Sequence, residues 1–168
     1  MEEKGSGLTL YQLLLIIVFI VIAIVLLYPV YEKAVNTASQ KSSIKDMVTW
    51  SRAFSDYLLE HSTLPAISGP LAFKKDVLEE LSPYLEVIRL NDYWGNRFYI
   101  WTGLSCHQYG LVPGDQNYIV ASFGRDRIKE NWRYNPLLPA VGLYDIKAIS
   151  DFDRDLIIYN GSLIRGPR

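Results

Sequence analysis

Hydrophobic and polar positions divide the chain into three regimes. From Leu8 to Tyr31 no residue is charged, and Gln12 is the single amide in an otherwise greasy run. Read as a helix at 1.5 Å per residue, residues 8–31 reach about 36 Å, slightly more than the ~30 Å hydrocarbon thickness of a bilayer. The pattern therefore predicts a membrane-spanning helix. Beyond Pro29 the apolar positions thin to a stripe, with Ala34, Ala38, Ile44, Met47, Val48, Phe54 and Leu58 on one face of a 3.6-residue helix. Thr37 to Ser43 is polar and built of weak helix formers, which predicts an exposed neck. Pro29, with no amide hydrogen, predicts a kink or loosened turn before that neck. The helix should end ahead of Thr63-Leu64-Pro65, since the residue preceding a proline is pushed out of the helical region.

The third regime mixes periods. Val77, Leu78, Leu81 and Leu85 are at helical spacing and predict a second, short helix within 71–85. Asn91 to Asn96 is a turn cluster leading into Phe98-Tyr99-Ile100-Trp101, and Tyr118 to Phe123 is another aromatic and β-branched run; both predict strands. Leu156 to Tyr159, then Asn160-Gly161, then Ser162 to Ile164 predicts a hairpin, because Asn-Gly suits the two positive φ angles of a type I′ turn. The turn also accounts for the residues of the glycosylation sequon at Asn160. The expected fold is α+β: a long N-terminal helix, half transmembrane and half amphipathic, packed on a small antiparallel sheet.

Composition narrows the function classes. Lys and Arg total 17 against 18 Asp and Glu, with no long block of either sign, so the chain lacks the basic footprint of a nucleic-acid binder. The 12 Tyr and 4 Trp suit a packed domain rather than a disordered one, because such side chains bury large areas. Cys106 is the single cysteine, and with only His61 and His107 beside it no zinc-type spacing arises. Cys106-His107 offers a nucleophile next to a base, yet neighbours in a strand point to opposite faces, and no acidic orienter is nearby, so no catalysis is expected. His61 reads as a residue at a helix C-terminus rather than a ligand.

The exit from the apolar run, Leu27-Tyr28-Pro29-Val30-Tyr31, is bulky and unlike a signal-peptide cleavage site. Small residues stand instead before the run, as Gly5-Ser6-Gly7. Gly7-Leu8-Thr9-Leu10-Tyr11-Gln12-Leu13 followed by an unbroken apolar helix resembles the N-terminus of type IV pilins and type II secretion pseudopilins, with Pro29 where that family commonly has a proline. The resemblance extends to Tyr57 to Pro65, the Asp92-Tyr93-Trp94-Gly95-Asn96 turn, Tyr118 to Gly124, and Asp153-Arg154-Asp155-Leu156, which are similar to the major pseudopilin. It implies a pilin-like fold with a leader over 1–7, a transmembrane and filament-core helix over 8–31, and a periplasmic globular head over 32–168. It also implies cleavage after Gly7 by a prepilin peptidase, methylation at Leu8, and assembly through Thr9, Gln12 and Pro29. Implied partners are other pilin or pseudopilin subunits, the peptidase, an inner-membrane assembly platform and the membrane itself. The location implied is the inner membrane in a single pass, with the filament in the periplasm or outside the cell. Gln12 stands where the family has Glu, which points to a minor, initiating or tip-proximal subunit. The competing reading is a single-pass anchor carrying a periplasmic enzyme or binding domain.

Asp151-Phe152-Asp153-Arg154-Asp155 places a carboxylate at every second residue, and carboxylate oxygens are what calcium takes. The alternative is a solvated loop neutralised by Arg125, Arg127 or Arg154. The resemblance implies calcium here, with Asp153 and Asp155 as first ligands and Asp126 and Asp151 as the next. The segment from Arg127 to Ser150, with Pro136 and Pro139, is longer than the family's and reads as a surface loop.

Overall fold

A computed structural model describes residues 9–71, 75–85 and 89–168. Gly7 and Leu8, the expected processing pair, lie outside the described residues. The chain forms two compact units, Met1–Asn36 and Thr37–Arg168.

Helix α1 (Leu10–His61) starts in the first unit and continues into the second, passing through Pro29 where the sequence predicted a kink or loosened turn. A proline ring removes one hydrogen bond from a helix, but 52 residues of continuous helix supply many others. In the first unit its apolar side chains are exposed: Leu10, Phe19, Leu26 and Tyr31 are all more than 60% exposed.

In the second unit, α1 carries a buried stripe at 3-4-3-4 spacing: Gln40, Ser43, Met47, Trp50 and Phe54, joined by Ala53. The expected exposed neck over Thr37 to Ser43 is therefore wrong at Gln40 and Ser43, which are 1% and 0% exposed. Polar residues continue the stripe because each finds a partner. Ser43 Oγ accepts the Tyr93 amide hydrogen at 3.0 Å, and Gln40 Nε2 donates to the Tyr144 hydroxyl at 3.2 Å. Ala34 and Ala38, assigned to the stripe from sequence, are exposed.

The sheet has six strands: β1 (Ser68–Pro70), β2 (Tyr99–Thr102), β3 (Tyr118–Ser122), β4 (Leu143–Tyr144), β5 (Leu156–Tyr159) and β6 (Ser162–Pro167), in the order β1-β2-β3-β5-β6-β4. It is mixed rather than antiparallel, since β4 runs parallel to β6. The β5–β6 hairpin turns at Asn160 and Gly161, with φ of 46° and 85°, the two positive angles its sequence required. Helix α2 (Lys75–Leu81) stops sooner than the periodicity predicted, because Pro83 shifts the next residues into a 3₁₀ turn over Ser82–Tyr84.

Strand β3 is buried at all five positions, so its two faces serve two cores. Tyr118 and Val120 face Met47, Trp50 and Phe54 of α1 together with Ile100, Leu156 and Ile158. Ile119 and Ala121 face the other way, against Cys106, Tyr109, Leu111 and Ile157, with Trp132 and Tyr134 packed over them. The 127–150 segment, expected as a surface loop, thus supplies part of the roof of the second core. Cys106 lies in the 3₁₀ segment Gly103–Gly110 rather than in a strand.

Candidate functional site

Helix α1 begins at a closed cap. Thr9 Oγ1 accepts the Gln12 amide hydrogen at 3.4 Å, and Gln12 Oε1 accepts that of Thr9 at 2.9 Å. This is the reciprocal capping box of a threonine at the cap and a glutamine three residues on, satisfying two backbone donors that a helix start leaves free. The Thr-x-x-Gln spacing is legible in sequence, though Gln12 stands out there first as a departure from a family pattern. From Leu10 the helix has a mean hydropathy of 3.3 over its best 18-residue window, none of it buried, which makes it long and apolar enough to cross a membrane.

In the second unit, the Asp92–Asn96 turn is clamped from within. Asp92 Oδ1 accepts the amide hydrogens of Trp94 at 3.0 Å and Asn96 at 2.7 Å, and Oδ2 accepts the Ser122 hydroxyl at 2.6 Å. Asn96 Nδ2 donates to the Gly124 carbonyl at 2.6 Å. Burial holds the Asp92 carboxyl above the usual range, opposed by the Ser122 hydrogen bond. Gly124, with φ of 68°, brings the turn against the acidic loop; a Cβ there would lie 2.7 Å from the Arg154 carbonyl oxygen.

The acidic loop is braced by arginines. Arg125 Nε lies 2.8 Å from Asp153 Oδ1, and Arg154 Nη2 lies 3.1 Å from Asp151 Oδ1. Asp151 Oδ2 accepts the amide hydrogens of Ala148 at 2.8 Å and Lys147 at 2.9 Å, which together hold its carboxyl below the ordinary value. Asp126 is exposed and accepts the Ile128 amide hydrogen at 2.9 Å. Asp155 is fully buried: Oδ2 accepts the Tyr109 hydroxyl at 2.7 Å and the Glu130 amide hydrogen at 3.1 Å, while Oδ1 has no hydrogen-bond partner. Burial pushes the Asp155 carboxyl up to about 6.

Glu130 returns the contact, its Oε2 accepting the Asp155 amide hydrogen at 3.2 Å and the Arg165 Nε hydrogen at 3.0 Å, with Arg165 Nη2 on Oε1 at 2.9 Å. Arg165 also stacks between the Trp132 and Tyr144 rings, at 5.2 and 5.3 Å. Tyr109, Glu130 and Arg165 carry no sequence signal as a group because they come from three distant segments.

The four candidate metal ligands are thus placed at one end of the sheet but not around one point. Among the described residues no group of three or more His, Cys, Asp or Glu side chains could hold a metal ion. A calcium ion needs six to eight oxygens, whereas here Arg125 already neutralises Asp153, and Asp151 is saturated by backbone donors and Arg154. As arranged, these residues do not fit calcium.

Cys106 is fully buried, its thiol donating to the Trp101 and Asn117 carbonyls at 3.2 Å each. Burial pushes it up to about 12, far from a thiolate nucleophile. His61, the last residue of α1, packs against Tyr57 with ring centroids 4.2 Å apart.

Compared with known proteins, the chain matches no family model, no curated protein sequence and no solved structure.

Proposed function

We propose that this protein is a structural subunit of a type II secretion pseudopilus or a type IV pilus-like filament, held in the inner membrane by its N-terminal helix before assembly. The observation that supports this best is the exposure of Leu10 to Tyr31: a charge-free helix, none of it buried within the chain, needs either lipid or the helices of neighbouring subunits around it. Gly7, directly before the apolar run in the sequence, supplies the cleavage point, with Leu8 as the new, methylated amino terminus.

The test is co-expression with a prepilin peptidase followed by mass spectrometry of the intact chain. The expected product lacks residues 1–7 and gains one methyl group at Leu8, and Gly7→Leu blocks both changes. A wild-type chain that keeps its leader would overturn the reading.

Within such a filament we assign this chain to a minor or tip-proximal position. A glutamate at position 12 would draw in a neighbour's amino terminus across a medium of low dielectric, and Gln12 has no charge with which to do so. Its amide is already engaged by Thr9. Immunogold labelling confined to filament ends is the expected result; regular labelling along the shaft would refute it.

A further inference from the structure

A polar cleft of about 330 Å³ lies between the end of the 103–110 segment and the first arm of the 127–150 loop. The chain is forced to turn there. Tyr109 and Gly110 both have positive φ, 55° and 72°, an uncommon backbone for a bulky residue. The turn is held by the Tyr134 amide donating to the Tyr109 carbonyl at 2.8 Å and by the buried Tyr109 hydroxyl on Asp155. Tyr109 and Trp132 give the cleft rigid sides, and His107, Gln108, Lys129 and Arg133 supply its polar groups.

The charges in this cleft do not balance. Glu130 also lines it, but both of its carboxylate oxygens are taken by Arg165, and one of them also by the Asp155 amide. Elsewhere in the same region two of the three arginines near the acidic loop have their own acid, Arg125 with Asp153 and Arg154 with Asp151. Lys129 and Arg133 have none among the described residues. Lys129 is held over the Tyr109 ring at 4.7 Å and donates to Gln108 Oε1 at 2.5 Å, which fixes its ammonium group at the cleft without neutralising it. The Arg133 side chain passes Gly110, where a Cβ would lie 3.7 Å away in ordinary contact.

Two cations without counter-charges among the described residues, Lys129 held in place and Arg133 beside it, make this concave site complementary to an oxyanion. The volume falls in the range of small-molecule sites, at its lower end. We propose that this cleft binds a small organic anion bearing a carboxylate or phosphate group, gripped by Lys129 and Arg133. The site is independent of how the N-terminal helix is used.

The experiment uses the full chain in neutral detergent micelles. Citrate and inorganic phosphate are titrated separately at constant ionic strength against chloride, and amide ¹⁵N–¹H shifts are followed. Expected are saturable shifts confined to residues 107–110 and 129–133 with at least one probe; citrate alone points to carboxylate ligands and phosphate alone to phosphorylated ones. Lys129→Gln with Arg133→Gln, both exposed positions, should weaken that binding at least tenfold with Tm unchanged. Lys147→Gln, an exposed cation outside the cleft, should leave it intact. The proposal is overturned by shifts that scatter over the surface or never saturate, by silence with both probes, by unchanged affinity in the double variant, or by an equal loss in Lys147→Gln.

Discussion

Arg125 and Asp153 form an ion pair across the base of the acidic loop, with Nε 2.8 Å from Oδ1 and Nη2 3.3 Å from Oδ2, so that two parallel donors meet one carboxylate. That fork is the geometry in which arginine outdoes lysine, and it occupies the place beside Asp153 where an external cation would stand. Calcium or a chelator should therefore move the Tm of the head by less than about 1 °C, because binding stabilises only in proportion to RT ln(1 + [L]/Kd). Thermal melts in both conditions check this, and a rise of several degrees with calcium would put a metal in the loop. Arg125→Gln should lower Tm, since it leaves Asp153 without its partner.

Asp155 makes the stability of the head depend on pH in an unusual direction. Its folded pKa of about 6 lies above the ordinary aspartate value of 3.8, so the folded state holds the proton more tightly than the unfolded chain. The Asp155 contribution is thus most favourable below pH 4, and stability is lost as pH rises through 6. A tenfold difference in proton affinity is worth about 1.4 kcal/mol, which makes the change across that window on the order of 3 kcal/mol. Asp155→Asn, which can still accept from Tyr109, should flatten this component. The check is the difference in unfolding free energy between wild type and variant at pH 4.5 and pH 7.5; an identical difference at both values would refute the assignment.

Gly142 lets β4 reach β6. A Cβ at this position would sit 1.8 Å from the Ile164 carbonyl oxygen, a backbone atom that cannot step aside alone. Gly142→Ala should cost roughly 1–3 kcal/mol or more as overpacking, seen as a Tm drop of several degrees. Loss of protection at Tyr144 in hydrogen exchange would locate the damage in the β4–β6 pair. A variant melting with wild type would show that the two strands need not approach so closely.

At the other end of the chain, Thr9→Ala removes one bond of the capping box and should weaken the helix start by about 1 kcal/mol. In micelles this appears as faster amide exchange over residues 10–13 with no change in the melting of the head. Gln12→Glu keeps the reciprocal bond and should preserve the slow exchange. Equal exchange in Thr9→Ala and wild type would mean that the cap is not formed in the membrane.

Much of the fold is legible in the sequence because local signals and tertiary packing agree. The Asn160-Gly161 turn, the β-branched strands and the apolar run need no knowledge of distant residues. The neck misleads for the opposite reason: Gln40 and Ser43 are buried only because Tyr144 and Tyr93 come back to them from about 50 to 100 positions away. Strand β4 has two residues and no pattern of its own, so its parallel pairing is beyond sequence periodicity. The acidic loop is visible as a cluster, but what neutralises each carboxylate depends on which arginine the fold delivers. Asp153 and Arg125 are 28 positions apart, and nothing local selects that pairing over Arg127.

The Tyr118 hydroxyl sits inside the apolar contact between α1 and the sheet, 3.0 Å from both the carbonyl oxygen and Oγ of Ser51 and 2.9 Å from Ser55 Oγ. Apolar surfaces slide past one another at little cost, since the hydrophobic effect has no direction. Oxygen-to-oxygen bonds do not slide. If the head is pulled along the axis of α1, these bonds resist together with those of Ser43 to the Tyr93 amide, Gln40 to Tyr144 and Trp50 to the Arg89 carbonyl. Under load, then, the head should behave as a body latched at several points along one helix face, and Tyr118→Phe should lower the force at which it yields.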